Sequence, residues 1–81
     1  MVYMFMSFGS MHTRKNIGCC IIRVKNPEDA NEECKRLNLM PTECNQTRGF
    51  LLSDEDFPQQ GMELNKFYTK EEMEKMGFER A

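Results

Sequence analysis

The run Ile17-Gly18-Cys19-Cys20-Ile21-Ile22-Arg23-Val24, followed almost at once by Asn26-Pro27-Glu28-Asp29, constrains the fold more than any other part of the chain. Side chains alternate along a strand, so Ile17, Cys19, Ile21 and Arg23 share one face and Gly18, Cys20, Ile22 and Val24 the other. Both faces are mostly apolar, as expected of a central strand covered on two sides. Asn26-Pro27-Glu28-Asp29 then reads as a helix start. Asn26 is placed to accept from first-turn amides, Pro27 sits where its missing N–H costs nothing, and Glu28 and Asp29 complement the positive helix end. The helix is expected over residues 27–38, with Ala30, Cys34 and Leu37 as its core face and Glu32–Arg36 as an outer i,i+4 pair.

Upstream, Val2, Tyr3, Phe5 and Phe8 favour a strand over residues 2–8, and the polar segment 9–16 reads as a loop. Together with the Ile17–Val24 strand they predict an antiparallel hairpin with a basic tip, His12-Thr13-Arg14-Lys15. Residues 1–10 are expected as an N-terminal extension or an edge strand. Downstream, Pro41 stops any continuation of the helix and Thr42–Gly49 reads as loop. Gly49–Leu52 is expected as a third strand, Ser53–Asp56 as the start of one helical turn, and Pro58–Gly61 as a turn. Met62–Tyr68 is read as a fourth strand. Thr69-Lys70-Glu71-Glu72 has the form of a capping box, with Met73 and Met76 as the inner residues of a short helix that Gly77 and Phe78 close. The predicted fold is a single α+β domain over residues 1–81, an antiparallel sheet of three to four strands with two short helices packed on it.

A chain of 81 residues buries only about 60–65% of its unfolded surface. Little apolar material remains for a deep substrate pocket beside the core. No apolar run approaches the roughly 18–20 residues that span a bilayer, and no basic residues precede the apolar opening Met1–Phe8, so no membrane segment and no signal peptide is expected. The four cysteines are accordingly read as reduced thiols in a cytoplasmic protein.

Those cysteines and the single histidine are the candidate metal ligands: His12, Cys19, Cys20, Cys34 and Cys44. Structural zinc sites present paired ligands two to four residues apart, whereas Cys19 and Cys20 are adjacent and point to opposite faces of a strand. No metal and no cofactor is therefore expected, and each cysteine is read as a small core residue. No CxxC motif is present to support thiol redox chemistry. The sole histidine lies in the hairpin loop away from any nucleophile motif, and the carboxylate pairs Asp54/Asp56 and Glu71/Glu72 sit at helix starts. No catalytic residues are expected.

Two kinds of binding surface remain. The first forty residues carry six basic side chains against four acidic, the remainder five against nine. The acidic stretch Asp54, Glu55 and Asp56 and the outer face of the last helix, Glu71, Glu74 and Lys75, are the candidate contacts with another protein. An open sheet edge at the first strand or near residues 49–52 is a further place for a partner strand. The expected function is that of a small non-enzymatic accessory factor or inhibitor, of the kind phage and mobile elements encode. The alternative is nucleic-acid binding by Arg14, Lys15, Arg23, Lys25, Lys35 and Arg36, with Tyr3 or Phe5 as stacking groups. Thr69–Phe78 also has the form of a first helix of a helix-turn-helix motif, but no recognition helix is expected in the three residues that follow.

Overall fold

The protein, seen in a computed structural model that describes residues 1–59 and 61–77, is an α+β fold with a four-stranded antiparallel sheet. In chain order the elements are β1 (Val2–Ser10), β2 (Lys15–Val24), a 3-10 turn (Pro27–Asp29) leading into α1 (Ala30–Arg36), β3 (Gln46–Leu52), α2 (Asp56–Gln59), β4 (Tyr68–Thr69) and α3 (Lys70–Lys75). The strand order is β3-β1-β2-β4. β1 therefore lies inside the sheet, flanked by β2 and β3, and is not an edge strand. The β1–β2 hairpin keeps a regular register from Val2↔Val24 to Phe8↔Gly18, then shifts so that Gly9 faces Asn16 and Ile17 is left as an extra residue on β2. Such a bulge bends the strand and sharpens its twist near the hairpin tip.

β2 is buried from Gly18 to Ile22 without a break, because both faces of the sheet are covered. On one face Met4, Met6, Phe8, Cys20, Ile22 and Val24 meet Ala30 and Cys34 of α1, with Leu39 behind them. On the other, Cys19 and Ile21 meet Met62, Tyr68 and Met73, with Tyr3, Phe5, Leu52, Phe57 and Leu64 packed around them. Gly18 lets these layers close on β2: a Cβ there would stand 2.4 Å from the Phe67 ring and 2.4 Å from the Tyr68 carbonyl oxygen.

Several local expectations give way to the packing. Asn26 makes no side-chain cap. The tight 3-10 turn already satisfies the Asp29 amide with the Asn26 carbonyl at 3.0 Å, so the Asn26 amide group points instead to the Asp29 carboxylate at 3.5 Å. Arg36 pairs with Glu33 at 2.7 Å rather than with Glu32, and Leu37 is only half-buried. α1 stops at a left-handed residue, Asn38 (φ 59°). The Asn38 amide donates to the Lys35 carbonyl and the Leu39 amide to the Cys34 carbonyl, a Schellman closure with buried Leu39 above Cys34.

β3 begins at Gln46, three residues earlier than its apolar part suggests, because Gln46, Thr47 and Arg48 pair with Gly9, Phe8 and Ser7. The segment 62–68 is not a full strand. Only Leu64 bridges to Ile21 before Asn65 turns through a left-handed conformation (φ 60°), and regular pairing resumes at Tyr68 and Thr69. The capping box at Thr69 is complete: Thr69 Oγ1 accepts from the Glu72 amide at 3.2 Å and the Glu72 carboxylate from the Thr69 amide at 3.0 Å. Met73 is buried, but Met76 lies past the last turn of α3 and is 38% exposed. Gly77 takes the left-handed position (φ 90°), while Phe78 lies outside the described residues.

Candidate functional site

The cysteines divide as strand geometry requires. Cys20 sits under α1 with its sulfur 3.9 Å from that of Cys34, and Cys19 belongs to the opposite core cluster. The contact with Cys34, together with burial, pushes the Cys20 thiol well above the ordinary cysteine range. Burial likewise raises Cys19, against weaker opposing hydrogen bonds with Ser7 and Asn16. All four thiols are free, and Cys44, half-buried, donates to the Gln46 carbonyl at 3.3 Å. His12 is exposed in the hairpin turn. Among the described residues no group of three or more histidine, cysteine or acidic side chains converges as metal ligands would.

The acidic candidates lie in the layer over the second face of the sheet. Asp54, Glu55 and Asp56 are exposed in the turn that leaves β3, where Ser53 Oγ accepts from the Asp56 amide at 3.0 Å and starts α2. Glu71, Glu74 and Lys75 are exposed on α3. They occupy separate elements of that layer.

The six basic candidates are scattered. Arg23 lies 5.5 Å over the Tyr3 ring, and Tyr3 in turn stacks on Phe57 with centroids 4.4 Å apart. Tyr3 and Phe5 are thus part of the second core cluster rather than an open stacking platform. Arg36 is engaged by Glu33, while Lys25 and Lys35 are exposed at the end of the hairpin and on α1. Arg14 and Lys15 line one concavity. They share a cleft of about 460 Å³ with Arg48, whose position is set by the β3–β1 register opposite Ser7. Arg48 carries no signal in the sequence, since it is one base between Thr47 and Gly49 with no periodic partner.

The clearest unpartnered surface is β3 itself. It is an outermost strand of the sheet, paired with β1 alone among the described residues. Phe50 and Leu51 point to opposite faces and are 55% and 63% exposed. An edge strand with free backbone groups and apolar side chains is a template for a further strand. Of the two edges named from the sequence, only the one near residues 49–52 is open.

Compared with known proteins, the chain matches no family, no curated protein and no solved structure. No helix among the described residues is long and apolar enough to cross a membrane.

Proposed function

We propose that this is a non-enzymatic binding protein of a reducing cytoplasm that accepts an extended segment of another protein along the outer edge of β3. The observation that carries this reading is the exposure of Phe50 and Leu51 on an outer strand that pairs with β1 alone among the described residues. An added strand gains main-chain hydrogen bonds along Gln46–Leu52, while alternate side chains meet Phe50 on one face and Leu51 on the other. Covering what is left open of these two residues contributes about 2–3 kcal/mol. Charge selects the segment: Asp54, Glu55 and Asp56 follow the strand directly, so a basic residue flanking an apolar centre suits it. Glu71, Glu74 and Lys75 on α3 are a secondary contact in the same layer. Such a surface suits an accessory factor or inhibitor, which acts by occupying a partner.

Nucleic-acid binding through Arg14, Lys15, Arg23, Lys25, Lys35 and Arg36 is the weaker reading. Arg23 and Arg36 are engaged within the fold and the aromatic groups are packed.

Affinity purification from the native host tests the proposal. The wild-type chain is expected to retain a partner that Phe50→Lys with Leu51→Lys loses and that charge reversal at Asp54–Asp56 weakens. The same co-purifying proteins at the same yield on all three baits sink it.

A further inference from the structure

The layer formed by residues 53–77 covers only part of the second sheet face. It packs over Tyr3, Phe5, Cys19, Ile21 and Leu52. Toward the hairpin tip the same sheet presents Ser7 and Gly9 of β1, Asn16 of β2, and Gln46 and Arg48 of β3, which line the 460 Å³ cleft. The 11–14 turn closes one side. It is held by two bonds, the Arg14 amide to the Ser10 carbonyl at 2.7 Å and the Met11 amide to Asn45 Oδ1 at 2.8 Å. The basic groups therefore stand on fixed backbone: Arg14 in a pinned left-handed turn (φ 55°), Lys15 at the start of β2 and Arg48 within β3.

Arg14, Lys15 and Arg48 share this cleft with no acidic residue in its lining. The ion pairs among the described residues join Arg36 to Glu33 and Lys66 to Glu63, leaving these three cations without a carboxylate. Three like charges around one concavity repel each other, and an anion removes that cost. The floor is polar. Asn16 Nδ2 donates to Ser7 Oγ at 2.7 Å, and both side chains also hydrogen-bond the Cys19 sulfur, so the floor is held in place within the fold and the charged groups of the rim carry the attraction.

We infer that this cleft is a binding site for a phosphate group, free or carried by a small molecule. Guanidinium forks match the geometry of phosphate oxygens, and a charge of +3 suits a doubly charged tetrahedral anion better than a single carboxylate. No aromatic side chain lines the cleft, so it offers a nucleobase nothing to stack on. Its volume lies in the range of small-ligand sites, with space for an organic group beside the phosphate. The site is separate from the apolar part of β3 and does not depend on the strand-binding proposal.

The test is amide NMR titration of the full chain with sodium phosphate and with glycerol phosphate, each against sodium chloride of equal ionic strength. Saturable shifts are expected at the amides of Ser7, Gly9, Lys15, Asn16 and Arg48. Tighter binding of glycerol phosphate than of phosphate identifies an organic phosphate as the better ligand; equal binding identifies the free anion. Arg48→Glu, a change on an exposed side chain, is expected to weaken binding at least tenfold, and Arg36→Glu, outside the cleft, to leave it unchanged. Three results overturn the inference: shifts that chloride reproduces, equal loss in both variants, or saturable binding that survives Arg48→Glu. A single-stranded oligonucleotide that shifts Arg23, Lys25 and Lys35 together with the cleft in one saturable event also overturns it, in favour of an extended polyanion surface.

Discussion

Of the glycines, Gly18 has the least room for a side chain, and Gly18→Ala tests that closeness. The added Cβ would lie 2.4 Å from Phe67 Cζ, 2.8 Å from Phe67 Cε1 and 2.4 Å from the Tyr68 carbonyl oxygen. The ring can rotate or withdraw. The carbonyl cannot do so independently, because Gly18 and Cys19 pair with Thr69 and Tyr68 to hold β4 on the sheet. Relief therefore requires β4 to move away from β2, loosening the buried Tyr68 and Met73 as well. Overpacking of this kind costs about 1–3 kcal/mol, and the involvement of main chain places this case near the upper end. For a domain of this size each kcal/mol lowers Tm by about 4–8 °C, so a fall of about 10–20 °C is expected in thermal unfolding followed by circular dichroism. Gly9→Ala is the control. Its Cβ would meet nothing closer than the Lys15 carbonyl oxygen at 3.5 Å, an ordinary contact, and should shift stability by no more than about 0.5 kcal/mol. Phe67→Leu in the Gly18→Ala background should recover only part of the loss, since the carbonyl contact remains. Equal Tm values for Gly18→Ala and Gly9→Ala would refute the closeness of β4 to β2.

Other consequences are equally concrete. A thiol reagent at neutral pH should label Cys44 in the native protein and reach Cys19, Cys20 and Cys34 only on unfolding, because those three are buried; mass spectrometry of the labelled protein reads this directly. Asn38→Ala should cost about 1 kcal/mol in urea unfolding, and Asn38→Gly should match or exceed wild type, because residue 38 occupies the left-handed position that closes α1. The Glu72 carboxyl is held below its ordinary value by the Thr69 amide and then by the Thr69 side chain. Its contribution is therefore complete above the unfolded carboxyl range, near pH 4.3, and disappears as pH falls through the lowered folded value. Glu72→Gln should accordingly be less stable than wild type at pH 7 and draw level with it in acid, as read by urea unfolding at a series of pH values.

Chemistry within a few residues was legible in the sequence. The two apolar faces of Ile17–Val24 forecast an inner strand, and the same alternation puts one of Cys19 and Cys20 beneath the helix without saying which; the fold makes it Cys20, under Ala30 and Cys34. The Thr69–Glu72 box formed as its side chains dictate, since both bonds lie within one helical turn. Features set by long-range pairing were not legible. Nothing in residues 2–10 says that β3 returns to cover their outer side, so an edge strand was the natural reading of a segment that is interior. Asn65 broke the expected fourth strand through a left-handed turn that its neighbours, all compatible with extended backbone, do not announce. Among the candidate surfaces the open edge near residues 49–52 could be named from sequence. The grouping of Arg48 with Arg14 and Lys15 could not, because 33 positions separate Lys15 from Arg48 and only the β1 register brings them to one cleft.

Amide hydrogen exchange along Gln46–Leu52, with and without the partner captured from the native host, tests the strand-binding claim most directly. In the free protein the amides of β3 that face away from β1 have no sheet partner among the described residues and should exchange rapidly. Strand addition predicts that these amides slow by more than tenfold on binding, and that Phe50→Lys with Leu51→Lys abolishes the protection together with the affinity. Binding that leaves β3 exchange unchanged would contradict the account, because the partner would then be held elsewhere on the molecule.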